Sequence, residues 1–107
     1  MEIIAKSVER NLLLEFSGEL DHHGARCAIE EAERWIDAAL PKKLVVDFSS
    51  VTFMDSSGIA VLLRMQRRMQ NLSGSIVVCH IPKQAKRVLD AAGIGRLMPL
   101  QGKENEA

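Results

Sequence analysis

The chain has no surplus of charge: fourteen Lys and Arg offset fourteen Asp and Glu. No global field draws it to nucleic acid or to an anionic membrane, so a partner must be recognised by shape and specific contacts. Cysteine is scarce as well. Cys27 and Cys79 show no CxxC spacing and sit among apolar neighbours, where a reduced thiol behaves as a small hydrophobe. Free thiols in a cytosolic setting are therefore expected rather than a disulfide. The opening MEIIAKSVERN lacks the basic start and apolar stretch of a signal peptide, and no window approaches the ~18 apolar residues of a membrane span. A cytoplasmic protein with no membrane partner is the expectation.

Motifs of catalysis are missing too. Without GxxxxGK[ST] there is no phosphate-cradling P-loop, and without GxSxG there is no nucleophile elbow for a hydrolytic serine. An aspartyl phosphate at Asp47 or Asp55 would want an acidic pair after the first parallel strand. FSGELD supplies Glu19 and Asp21 at alternating positions instead. No enzyme activity and no cofactor are expected.

What is present is a globular balance, 47% hydrophobic and 26% charged over 107 residues, enough for one core and one domain. Short Val, Ile and Leu runs bounded by turn residues (EIIAKSV, NLLLEFSG, KLVVDFS, SIVVCHI and a weaker RLMPL) read as buried strands. Between them lie three helical patterns. Residues 23–40 place Ala25, Ala28, Ile29, Ala32, Trp35, Ile36, Ala39 and Leu40 on one stripe, with Arg26, Glu30, Glu33, Arg34 and Asp37 facing away. Residues 56–72 set Val61, Leu62, Met65, Met69 and Leu72 against a basic face of Arg64, Arg67 and Arg68, expected to be solvated. The third pattern has Pro82 in its first turn, Ala85, Val88, Leu89 and Ala92 as its stripe, and Gly93 in the left-handed position past its end. The order β-β-α-β-α-β-α-β predicts an α/β fold: a mainly parallel sheet of four to five strands, an N-terminal β-hairpin, and three or more packed helices. Residues 1–101 form the domain, and 102–107, GKENEA, read as a polar tail. Balanced charge and short length favour a monomer.

The segment FMDSSGIAVLL, residues 53–63, sets two serines between an acid and a glycine at a helix start. With Asp55 as N-cap, Met54 and Ile59 occupy the positions of a hydrophobic staple and Ser56 falls in the first turn. With Ser56 as N-cap, those positions hold Asp55 and Ala60, which cannot make that contact. Asp55 is preferred. The local pattern is compatible with plain capping, and also with an anion site, because Ser56 lies where unpaired N–H groups and the helix dipole meet, with Gly58 leaving the surface free of bulk. His22, His23 and Cys27 cluster but lack the fourth ligand of a closed zinc site, and Cys79 with His80 reads as a buried thiol beside a partly exposed imidazole. No metal is expected.

Two stretches, FSGELDHHGA and VVDFSSVTFMDSSGIAVLL, together resemble the anti-sigma factor antagonists, whose single domain is called STAS. VVCHIPKQAKRVLDAAGIGRLMPL echoes the family's later strand-helix-strand, so the resemblance spans residues 1–101. The DHH variant is similar to the sporulation branch in particular. The resemblance implies a cytoplasmic switch that regulates transcription without touching nucleic acid. The unphosphorylated antagonist binds an anti-sigma factor that is also a serine kinase, and so frees a sigma factor. Phosphorylation of the serine after the motif aspartate, here Ser56, ends that binding, and a serine phosphatase restores it. Carried across, Asp21, His22, Asp55, Ser56, Ser57 and Gly58 form the partner-binding surface. Ala60 departs from a common glycine, and the chain stops where many relatives continue into a final helix. The rival implication is a constitutive STAS scaffold, or a regulatory subunit of a transporter-linked or stress-sensing assembly.

Overall fold

The computed structural model describes residues 1–102. It arranges them as β1 (Glu2–Val8), β2 (Asn11–Leu20), α1 (His22–Ala39), β3 (Lys43–Met54), α2 (Ser57–Asn71), β4 (Ser75–Ile81), α3 (Lys83–Ala91), a 3₁₀ turn (Ile94–Arg96) and β5 (Leu100–Gly102). β1 and β2 pair antiparallel from Glu2↔Ser17 to Val8↔Asn11 around a two-residue turn in which Glu9 is left-handed (φ 56°). The remaining pairs are parallel, in the sheet order β1-β2-β3-β4-β5. Each strand is laid beside its predecessor, and right-handed crossovers then place all three helices on one face.

Burial follows from that arrangement. Leu12, Leu14 and Phe16 of β2, Leu44, Val46 and Phe48 of β3, and Ile76 and Val78 of β4 are buried, whereas the intervening Leu13, Val45 and Val77 are only half-buried on the opposite face. The strands thus alternate, unlike the fully buried runs expected, because the helices cover one side only. Phe16 and Phe48 meet at the centre with ring centroids 5.4 Å apart, each contributing about 1.5–3 kcal/mol through burial. The helices add Ala28, Ala32, Ile36, Val61, Leu62, Met65, Ala85 and Leu89 to the same core.

Several boundaries differ from the sequence expectation. The third strand runs on through VTFM to Met54, and the last strand begins at Leu100 because residues 94–96 coil into a 3₁₀ turn. Pro82 is the N-cap of α3 rather than a member of its first turn, while Gly93 takes the left-handed conformation expected of it (φ 71°). Trp35 and Leu40 leave the apolar stripe and stand 41% and 57% exposed. One residue before Ile36, Trp35 is rotated about 100° from the buried line, and Leu40 is the left-handed C-cap of α1 (φ 46°). Gly102 closes β5; the remainder of the expected tail, 103–107, lies outside the described residues. No helix among the described residues is long and apolar enough to cross a membrane.

Both cysteines are free, but Cys27 is exposed on α1, against the expectation of an apolar setting, while Cys79 is buried in β4. Thiol labelling of the native protein is expected to modify Cys27 rapidly and Cys79 only after unfolding. Intact mass after a short alkylation checks this; equal labelling of both would show the β4 environment to be wrong.

Candidate functional site

Two parallel strands end side by side. Leu20 of β2 is in register with Met54 of β3, and the Asp55 N–H donates to the Leu20 carbonyl at 3.4 Å. Both strands then turn into helices at the same edge, so the starts of α1 and α2 are neighbours.

Each start is capped by an aspartate. Asp21, in extended conformation, accepts the Gly24 N–H at 2.8 Å through its Oδ1, and its carbonyl accepts the Ala25 N–H. The Gly24 N–H holds the Asp21 carboxyl below its ordinary range, with a smaller contribution in the same direction from His23. At α2 the Asp55 Oδ1 accepts the Ser57 N–H at 2.8 Å, and the Gly58 N–H donates to the Asp55 carbonyl. The N-cap position itself falls on Ser56 rather than on the Asp55 expected, although the Asp55 carboxylate still supplies the side-chain acceptor. The helix itself begins one residue later than expected: Ser56 precedes Ser57 with helical dihedrals (φ −63°, ψ −17°), and its hydroxyl makes no capping hydrogen bond. That hydroxyl side chain is exposed, Ser57 is half-buried, and Gly58 is buried.

Gly58 differs from its expected role. A Cβ there would lie 2.5 Å from Cγ and Sδ of Met54 and 3.1 Å from Leu20 Cδ2. It is a packing contact beneath the serines, not an opening in the surface. Gly24 is similarly confined, with the Glu19 carbonyl 2.3 Å from where its Cβ would be. Together the two glycines let α1 and α2 begin close against the strand ends.

The segment ahead of the serines is fixed by a residue that sequence reading missed. Gln84, in the first turn of α3, accepts the Met54 N–H through Oε1 at 2.9 Å and donates Nε2–H to the Met54 carbonyl at 2.7 Å. One side-chain amide satisfies both backbone groups of the last strand residue. Nothing in the local pattern around Gln84 signals this, since its partner lies thirty residues away.

Between the two helix starts runs an open groove of about 440 Å³, with His22, Arg26 and Ile29 on one wall and Ser57, Ala60 and Arg64 on the other. Its far end is closed by side-chain ion pairs. Glu33 is gripped by Arg64 at 3.0 Å and Arg68 at 3.1 Å, and Arg68 also reaches Asp37 at 2.9 Å. Arg64 and Arg68 are thus engaged with α1 rather than forming the solvated basic face expected of them. Burial pushes the Glu33 carboxyl up, but hydrogen bonds from Arg68 and Arg64 outweigh it and hold it below its ordinary range. Of the remaining ligand-type residues, His22 and His23 stand edge to face with centroids 5.8 Å apart beside the exposed Cys27. Among the described residues, a three-ligand cluster forms elsewhere, from Asp47, Cys79 and His80.

The STAS domain family matches residues 2–107 of this chain. An anti-sigma F factor antagonist of Paenibacillus polymyxa is 30% identical over 96 residues, spanning 90% of this chain and 82% of the relative. One from Lysinibacillus sphaericus is 28% identical over 91 residues, spanning 81% and 74%. Among solved structures, an anti-sigma factor antagonist from Mycobacterium paratuberculosis superposes with a TM-score of 0.83 at 21% identity, covering 98% of this chain and 88% of the other. The Bacillus cell fate determinant SpoIIAA in its phosphorylated form gives 0.71 at 24% identity, covering 98% and 95%. At these identities the structures bear on fold alone.

Two outcomes test the site's supports. Gln84→Ala strands both Met54 backbone groups and is expected to cost about 1–3 kcal/mol, read as a lowered denaturation midpoint at unchanged slope. For Glu33, the folded carboxyl titrates below the ordinary 4.5. Its ion-pair stabilisation is therefore present above that pH and lost as pH falls through the lower folded value. Both arginines are well exposed, so Glu33→Gln should cost only on the order of 1 kcal/mol at neutral pH and low salt. Chemical denaturation across pH should show the variant and the parent converging in acid; a constant gap would contradict the pairing.

Proposed function

This chain belongs to the STAS domain family, and from that premise we propose that it is an anti-sigma factor antagonist switched by phosphorylation of Ser56. In this reading the unphosphorylated protein binds an anti-sigma factor serine kinase at the mouth formed by the two helix starts, and the sigma factor is released. Phosphorylation of Ser56 ends that binding, and a serine phosphatase resets it. The observation that carries the reading is the Ser56 side chain: exposed, free of any capping bond, directly after the capping Asp55, at the end of the sheet where Asp21 caps the neighbouring helix. Two relatives named as anti-sigma F factor antagonists support the same class of partner, and the DHH stretch is the ground for placing the chain in the sporulation branch.

The geometry suggests why a phosphate would act on the partner and spare the fold. A phosphoserine adds roughly −1.5 to −2 charges, which a helix N-terminus offsets by about 0.3–1 kcal/mol. Here the donors of that terminus are already used: Ser57 N–H by the Asp55 carboxylate, Gly58 N–H by the Asp55 carbonyl, and Ile59 N–H by the Ser56 carbonyl at 3.1 Å. The phosphate would stay at the surface beside Asp55, with none of the N–H groups of residues 57–59 free to receive it. A partner that docks over a neutral hydroxyl would have to desolvate that dianion, and each 1.4 kcal/mol lost is about tenfold in affinity. His22 and Ser57 line the groove beside it and belong to the same proposed contact, with Gly58 acting from below by holding the helix start against Met54.

Incubation with ATP and the cognate kinase should add one phosphate to the parent protein and none to Ser56→Ala. Ser56→Ala should keep its affinity for the kinase, while Ser56→Asp binds it about 100-fold more weakly with an unchanged circular dichroism spectrum. Ser57→Ala should still take up one phosphate. Equal affinity of the Ala and Asp variants, or phosphate found on Ser57, refutes the assignment. No phosphate together with a large stable assembly would support the scaffold instead.

A further inference from the structure

We propose that Asp47, Cys79 and His80 form a binding site for a borderline-soft divalent cation of the zinc class, on the face of the sheet opposite the helices. The site is independent of the serines and of the reading above.

Sheet register brings the first two ligands together. β3 and β4 run parallel with Asp47 opposite Cys79, so the two side chains project from the same face as immediate neighbours. His80 should point to the other face, because successive residues of a strand alternate. It does not, since His80 adopts a left-handed backbone (φ 54°) within a register irregularity between Val78 and Ile81. Its Nδ1 lies 3.4 Å from Asp47 Oδ2, and one ligand atom from each of the three residues lies within 4.8 Å of the others. Zinc bonds of about 2.0 Å to nitrogen and oxygen and 2.3 Å to sulfur set tetrahedral ligand atoms roughly 3.5 Å apart. The His80–Asp47 separation already has that value, and small side-chain rotations bring in the sulfur.

Ligand chemistry selects the ion. A thiolate, an imidazole and one carboxylate suit zinc, whereas calcium and magnesium want six or more oxygens and near-exclusively oxygen shells. Asp47 is further oriented by the Ser49 N–H, which donates to its other oxygen at 2.8 Å, the kind of outer contact that fixes a metal-ligating carboxylate. Access is from the His80 side: the His80 side chain is 50% exposed and that of Asp47 18%, while Cys79 lies at the base. Three protein ligands leave the fourth position to water. On binding, the Cys79 Sγ–H bond is replaced by an Sγ–metal bond and the proton passes to solvent.

Cobalt(II), a spectroscopic stand-in for zinc, tests this on the full chain kept reduced and anaerobic. Titration should produce a thiolate-to-cobalt charge-transfer band with tetrahedral d–d absorption, saturating at one equivalent and bleached by zinc. Cys79→Ser should abolish the band, and His80→Asn, which tolerates the left-handed backbone, should weaken binding by at least about 100-fold. Asp47→Asn gives a second variant should Cys79→Ser fail to fold, with the same loss of affinity expected. Cys27→Ser should leave the titration unchanged. No band in the parent overturns the proposal, as does a band that survives Cys79→Ser but is lost in Cys27→Ser, which would place the ion on α1 instead.

Discussion

Two parallel strands of matched reach govern this molecule. Because Leu20 and Met54 stand in register at the ends of β2 and β3, the chain has to leave the sheet twice at one edge, and each exit becomes a helix. Two helix termini crowded together need their N–H groups satisfied locally, hence an aspartate at each. They also need room against the strand ends, hence Gly24 and Gly58 where any larger residue would collide. The groove, the ion cluster around Glu33 and the position of the serines are consequences of that shared edge.

Much of this was legible along the chain. Element order, the hairpin, the parallel sheet, the left-handed Gly93 and the capping role of Asp55 follow from patterns contained within single elements, where the period of burial and the chemistry of ends are local properties. What escaped were contacts between elements. Glu33 sits on the polar side of its helix by periodicity, and nothing in that periodicity says that two arginines of α2 will lie over it. Trp35 fits a generous apolar stripe, yet the stripe actually used is narrow because alanines bring α1 close to the sheet. Gln84 reads as an ordinary first-turn residue until the end of β3 is known to lie beside it.

The metal-capable residues make the same point from the other direction. Spacing alone draws attention to His22, His23 and Cys27, which share a helix, and passes over Asp47 because its partners are thirty-two and thirty-three positions away in sequence. Strand register, not proximity along the chain, decides which donors converge. An irregular residue in β4 then supplies the third. The uncovered side of the sheet, which in a fully doubly wound protein would be sealed by helices, is what leaves His80 and Asp47 within reach of solvent above the buried Cys79.

The latch that holds Met54 is made of an uncharged amide. Carboxylates and imidazoles around it change their protonation with acidity and are muffled by electrolyte, but an amide-to-peptide pair has no proton to gain or lose over that range and no net charge to screen. This one support of the serine platform is therefore indifferent to acidity and salt, unlike the carboxylate caps and the Glu33 ion pairs that hold the two helices beside it.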